Sequence, residues 1–371
     1  MKDRIALFAI GASLLALPTL ASAQAGGDPT TPPAGVPGKV MKTLDEVEAR
    51  IPLVDGAPGV SENANTGFTI SQSGSYYLTG NISVDTESGI QVNASNVTVD
   101  LNGFTITGTG AATGTRYGIY TGFSSDVVVK NGFIECSYSV ELGGAALDGS
   151  AFDAAIFSEV FFGLGDAEGI VVEKVSITGV AGDGIVNAFL VKDSTVRFID
   201  GIGIEAKVVR GSIASDCEGI AIKADKVIAS EGHSLANIGI SATVVSDSTG
   251  ESEKDSIGGE AAGIKAVTVS NSQGTGVIGI GIDAETVTNS IGISTDGRGI
   301  SALTVHNSKG TSTNSIGIRA KMVTNSSGTS TASHGIFSDG GVVSFSFGET
   351  SDNAFLDIAP ANGAILFNNA P

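Results

Sequence analysis

The sequence is poor in everything that grips an anion. Of 371 residues only 20 are Lys or Arg, against 39 Asp or Glu, and three are His. The formal net charge of −19 repels nucleic acid and anionic lipid, and no basic patch offsets it. A polyanionic sugar is repelled as well unless Ca²⁺ bridges the two. No apolar run is long enough to span a bilayer, so no membrane span is expected. There is no Trp, aromatics make up 6%, and Gly reaches 52 residues. With abundant Ser, Thr and Val, that mixture suits tight turns and thin β-walls better than a helical core. Only two cysteines occur, Cys136 and Cys217. They fall three or four repeats apart, ~15–19 Å at the usual strand spacing. A disulfide needs Cα atoms within about 7 Å, so both are read as buried free thiols, with a disulfide as the less favoured alternative in an exported chain.

The first residues have the form of an export signal. Lys2 and Arg4 precede the apolar run Ile5 to Leu17, and Ala21-Ser22-Ala23 offers a small-residue cleavage site. Removing residues 1–23 leaves 18 basic and 38 acidic residues, a net charge of about −20. The expected destination is outside the cytoplasm: extracellular, cell-surface or periplasmic. Residues 24–38 are rich in Pro, Gly and Thr and read as a disordered linker. Residues 39–66 are read as an N-terminal cap with one short helix, because Thr43 and Glu46 make a capping box. Residues 348–371 are read as a C-terminal cap or tail.

What dominates the chain is one phrase repeated. GIKAVTVSNSQG, GIDAETVTNSIG, GISALTVHNSKG and GIRAKMVTNSSG open at Gly263, Gly281, Gly299 and Gly317. Earlier copies open at Ile185, Gly203, Ala221 and Gly239, and a last one at Gly335. The interval is 18 residues except from Gly239 to Gly263, where it is 24. The six extra residues are assigned to Glu251–Ser256. A fixed short period predicts a solenoid, each turn stacking on the next. Ile264, Ile282 and Ile300, with Ala266, Ala284 and Ala302 two residues later, alternate as one inward face of a strand. Val269, Val287 and Val305 come three residues further on, which implies a corner. Ser272, Ser290 and Ser308 and the preceding Asn271, Asn289 and Asn307 form polar ladders. These are read first as turn chemistry and alternatively as a sugar-binding strip. Gly250, Gly274, Gly292, Gly310 and Gly328 are read as relieving crowding at the next corner.

Upstream, GIQVNASNVTVDLNGFTITG from Gly89 resembles the opening coils of secreted bacterial right-handed parallel β-helices, the pectate-lyase-like superfamily. GIYTGFSSDVVVKNGFIEC from Gly118 and GIVVEKVSITG from Gly169 continue the likeness. The later copies resemble a short-coil repeat type of uncharacterised exported proteins. The resemblance implies an all-β, single-stranded right-handed parallel β-helix over residues 67–347, regular from 185 to 341. Right-handed parallel connections are also the general preference. An 18-residue coil fits a left-handed triangular helix as well.

Chemistry is sought where the period breaks. Residues 142–168 hold Asp148, Asp153, Glu159, Asp166 and Glu168 among Phe152, Phe157, Phe161 and Phe162. Residues 251–262 add Glu251, Glu253, Asp255 and Glu260. Carboxylates with aromatics suit a sugar platform, or Ca²⁺ held by Asp148, Asp153 and Glu159; the plainer reading is a solvated acidic loop pinned to the β-wall by its phenylalanines. Asp148, Asp153, Asp166 and Glu168 are the candidates for catalysis. The Asp-pair and Gly-His-Gly patterns of polygalacturonase-like relatives are absent, and Gly232-His233-Ser234 sits in an ordinary repeat position. The expected function is therefore an exported structural or surface-interaction protein that binds polysaccharide or cell-envelope components. The alternative is a polysaccharide lyase or glycoside hydrolase using residues 142–168. A more distant one is an ice-binding face built on Thr311, Thr313, Thr329 and Thr331. No cofactor other than Ca²⁺ is implied.

Overall fold

The computed structural model describes residues 50–63, 67–85, 88–109, 116–136, 152–159, 169–253, 261–350, 358–360 and 365–367. All belong to one compact unit, Ala49–Pro371. The signal, the linker and the helix expected after Thr43 lie outside the described residues. So do Asp148, Asp166 and Glu168. Among the described residues every regular element is a strand. No helix there is long and apolar enough to cross a membrane.

The chain is a parallel β-helix. Its register is written by the repeat: Ile204 pairs with Ile222, Ile222 with Ile240, Ile264 with Ile282, and Ile300 with Ile318. Each coil crosses three walls. Among the early coils they are separate strands, Ile90–Val92, Val97–Asp100 and Thr105–Gly108. In the regular coils the first two walls share one bent strand such as Ile300–His306, and the third is short, Lys309–Ser312. Strand pairing already includes Arg50–Pro52, whose register partner is Ser75–Tyr77. The antiparallel exception is Val60–Glu62 against Phe68–Ile70.

The six extra residues fall later than the sequence places them. Glu251 and Ser252 lie in a strand, paired with His233 and Ser234 before and with Thr275 and Gly276 after. Strand registers on both sides of them are intact, so the excess lies between Glu253 and Ala261.

Along each coil the two branched ladders are buried more deeply than the alanine between them. Ile264, Ile282, Ile300, Val269, Val287 and Val305 are wholly buried. β-branched side chains pack well on such inner strand faces. Ala266, Ala284 and Ala302 are only half-buried against this core, at the bend where the first wall becomes the second.

The serines follow the first of their two readings, turn chemistry, and do so from inside the helix. Ser272, Ser290 and Ser308 point inward and are buried, so they form no surface strip. The cause is the preceding Asn, whose backbone is left-handed (φ +49, +50 and +47 at Asn271, Asn289 and Asn307). Asn tolerates that region better than most residues. The corner interrupts the backbone ladder, and the serine repairs it. The Ser272 N–H donates to Ser290 Oγ at 3.2 Å, and the Ser290 N–H to Ser308 Oγ at 3.2 Å. Each hydroxyl donates in turn to a carbonyl two residues back, as Ser290 does to Thr288 at 2.7 Å. Buried polar groups are thereby satisfied.

A second buried serine column was not legible in the repeat. Ser234, Ser294, Ser312 and Ser330 donate to Gly219, Gly279, Gly297 and Ser315 carbonyls at 2.7, 2.6, 2.7 and 2.5 Å. They hold the turn from the third wall into the next coil.

The glycine column also differs from its expected role. Gly250, Gly274, Gly292 and Gly310 lie within third-wall strands, not at a corner. A Cβ on Gly292 would sit 2.2 Å from the Gly299 carbonyl oxygen and 2.6 Å from Ile300 Cγ1. The third wall closes onto the first wall of the next coil, and only glycine lets the two backbones meet.

Candidate functional site

Ala154–Ser158, inside the stretch 142–168 read as a break in the period, is a regular strand of the first wall. Tyr117–Thr121 and Ala154–Ser158 are neighbouring strands, with Ile156 opposite Ile119 and Phe157 opposite Tyr120. Ile119 and Ile156 fill the interior, so strand alternation turns Tyr120 and Phe157 outward. Tyr117 stacks on Phe157 with centroids 4.7 Å apart and planes 14° from parallel. Tyr117 and Tyr120 stack at 5.4 Å, and Tyr120 and Phe157 at 6.2 Å. Three near-parallel rings thus form one half-exposed platform.

Two of the sequence-predicted carboxylates border it. The Tyr120 hydroxyl donates to the Glu159 carboxylate. That bond, aided by partial burial, pushes the Tyr120 phenol up to about 12. Burial, then the charges of Asp153 and Glu159, raise Tyr117 above its usual range. Asp153 accepts the Arg116 backbone N–H at 2.7 Å. Arg116 is fully buried, and its guanidinium donates to the Asp85 and Thr109 carbonyls. Phe152 is buried rather than presented to solvent.

Chemically the platform offers apolar ring faces beside a hydrogen-bonded carboxylate and phenol. A pyranose ring, apolar on one face and hydroxylated at its edge, matches that combination. As to Ca²⁺, among the described residues no group of three His, Cys, Asp or Glu side chains is placed to hold a metal ion.

Sequence reasoning missed a polar cluster on the third wall. His233 lies between Asp216 (Nδ1 to Oδ1, 3.6 Å) and Glu253 (Nε2 to Oε1, 3.1 Å). Arg197 Nη2 stands 3.6 Å from the same Asp216 carboxylate. The signal was weak because the partners occupy different repeat positions. The outward column holding Thr311 and Thr329 runs through Glu251, Thr275 and Ile293 and ends at Glu349, so its hydroxyls are interrupted. Cys217 is buried as expected, Cys136 only half-buried, and the two form no disulfide with each other.

No protein-family model matches the chain. No curated protein matches its sequence. Among solved structures, the A-module of mannuronan C-5 epimerase AlgE4 from Azotobacter vinelandii is similar at a TM-score of 0.43 and 10% identity, covering 81% of this chain and 91% of that one. The A-module of AlgE6 from the same organism gives 0.40 and 11%, with the same coverage. The fold assignment rests on the strand registers of this chain.

Proposed function

We propose that this protein is an exported β-helical scaffold that binds polysaccharide at the Tyr117–Tyr120–Phe157 platform. The observation that carries the reading is the outward stack of three rings tied by Tyr120 to Glu159. A rigid wall beneath holds the rings in place, which lowers the ordering cost of binding. The expected alternative, a carbohydrate-active enzyme, draws on Asp153 and Glu159 standing near enough to raise the ionisation of Tyr117. Retention of the full chain on immobilised neutral and acidic polysaccharides, with and without Ca²⁺, tests the proposal. Tyr120→Ala and Phe157→Ala are expected to weaken retention on the bound polymer at least tenfold, with the unfolding midpoint little changed. Retention unaffected by both variants would remove the platform from the account.

A further inference from the structure

A second surface feature lies on the corner between the second and third walls. Left-handed residues recur there down the molecule, from Asn131 and Asp193 to Asn271, Asn289, Asn307, Asn325 and Phe345. The corner is concave, and over the last coils it forms an open groove of about 670 Å³. Its floor is an amide ladder. Asn289 Nδ2 donates to Asn271 Oδ1 at 3.3 Å, Asn307 to Asn289 at 2.7 Å, and Asn325 to Asn307 at 3.1 Å. A carboxamide has two donor hydrogens and two acceptor lone pairs. The ladder consumes one of each per coil and leaves the other pair facing outward.

Three further observations separate this groove from ordinary turn surface. In a chain carrying nearly twice as many acids as bases, its lining among the described residues includes no carboxylate and a single charge, Lys309; the ladder meets a carboxylate beyond the groove, where Asn271 donates to Asp247 at 3.2 Å. Two rings stand exposed at its end, Phe345 at 62% and Phe347 at 40%. Phe345 occupies the column of the asparagines and keeps their left-handed backbone (φ +49), a conformation costly for an aromatic residue.

We infer that this groove is a second binding site, for a neutral linear polysaccharide lying along the helix axis. Its coils recur every ~4.8 Å, close to the length of one pyranose unit, so successive sugars would meet successive amides. From Asn289 to Phe345 the floor spans about 14 Å at that spacing, long enough for a short run of sugars. Hydroxyls would bond the outward amide N–H and C=O groups, and the terminal rings would cover the apolar face of the last sugar. A polyuronate is disfavoured by the acidic surface around the floor.

The inference is independent of the platform, and the test keeps the two apart. Affinity electrophoresis of the full chain would use gels containing a soluble neutral glucan, xylan, or polygalacturonate. Groove binding is read in a Tyr120→Ala/Phe157→Ala background. The double change Phe345→Asn/Phe347→Ser keeps residue types already found in these two columns, at Asn325 and Ser327, so the fold is expected to persist. In that background it should lower affinity for a neutral polymer at least fivefold, with polygalacturonate mobility unchanged. Neutral-polymer retention that survives the groove change would overturn the inference, as would its complete loss in the platform background alone. A groove change that alters oligomeric state and not glycan retention would also overturn it, marking the corner as a contact between copies. Retention by the groove with none at the platform would instead remove the platform reading and leave this one standing.

Discussion

Ser290 and Gly292 stand two residues apart and solve opposite problems of a narrow interior. Ser290 brings a hydroxyl inside to satisfy backbone groups that the corner leaves unpaired. Gly292 keeps every side-chain atom out, because the next coil's backbone already fills the space. A Gly292→Ala substitution is therefore expected to cost about 3 kcal/mol, the upper end for overpacking a tight site. Urea denaturation reads this directly, and an unchanged midpoint would show that the walls do not meet there. Tyr120 gives a second residue-scale prediction. Its phenol is held up near 12 by donation to Glu159, above the usual 10. Because the folded value is raised, the contribution to stability is present below pH 10 and disappears as pH rises towards 12. Glu159→Gln should move the Tyr120 titration, followed by tyrosinate absorbance, back towards the ordinary value. A titration that stays put would mean that burial, not the carboxylate, holds the phenol.

At the scale of the coil, the walls and the core follow from alternation alone, and the corners do not. Ile300 and Val305 are legible as interior because branched apolar residues recur at fixed spacing. Ser308 is not, because a polar residue gives no sign of facing inward until the left-handed Asn307 before it is known. Gly310 reads as a turn residue for a related reason: sequence records the need for glycine but not whether a bend or a neighbouring backbone creates it. The insertion makes a prediction at this scale. Deleting Lys254–Gly259 makes the interval from Gly239 to Gly263 18 residues and sets Ala261 at the position that Gly279 holds in the next coil. Strand pairing lies on both sides of the excision. The variant should keep its β-sheet circular dichroism signal and its cooperative unfolding. Deleting Glu251–Ser256 instead removes strand residues and should lower the midpoint. Equal behaviour of the two deletions would contradict the observed register.

For the whole molecule, the architecture is written in the period, whereas the proposed binding platform is not. A solenoid has few contacts other than those between successive coils, so an 18-residue spacing nearly specifies it. The platform depends on two strands that are 37 residues apart, Tyr120 opposite Phe157, and no local pattern reveals that meeting. Asp153 and Glu159 are legible as acids near aromatics, yet their partners, Arg116 and Tyr120, lie a coil away. Under the proposed reading, the presented rings hold a polymer on rigid walls and leave its bonds intact. The decisive measurement is to incubate the mature protein with each polysaccharide it retains and follow new reducing ends and unsaturated products over time. The account predicts saturable binding and no product above a protein-free control. Product that accumulates in proportion to protein, and disappears in an Asp153→Asn or Glu159→Gln variant, would contradict it and make this β-helix an enzyme.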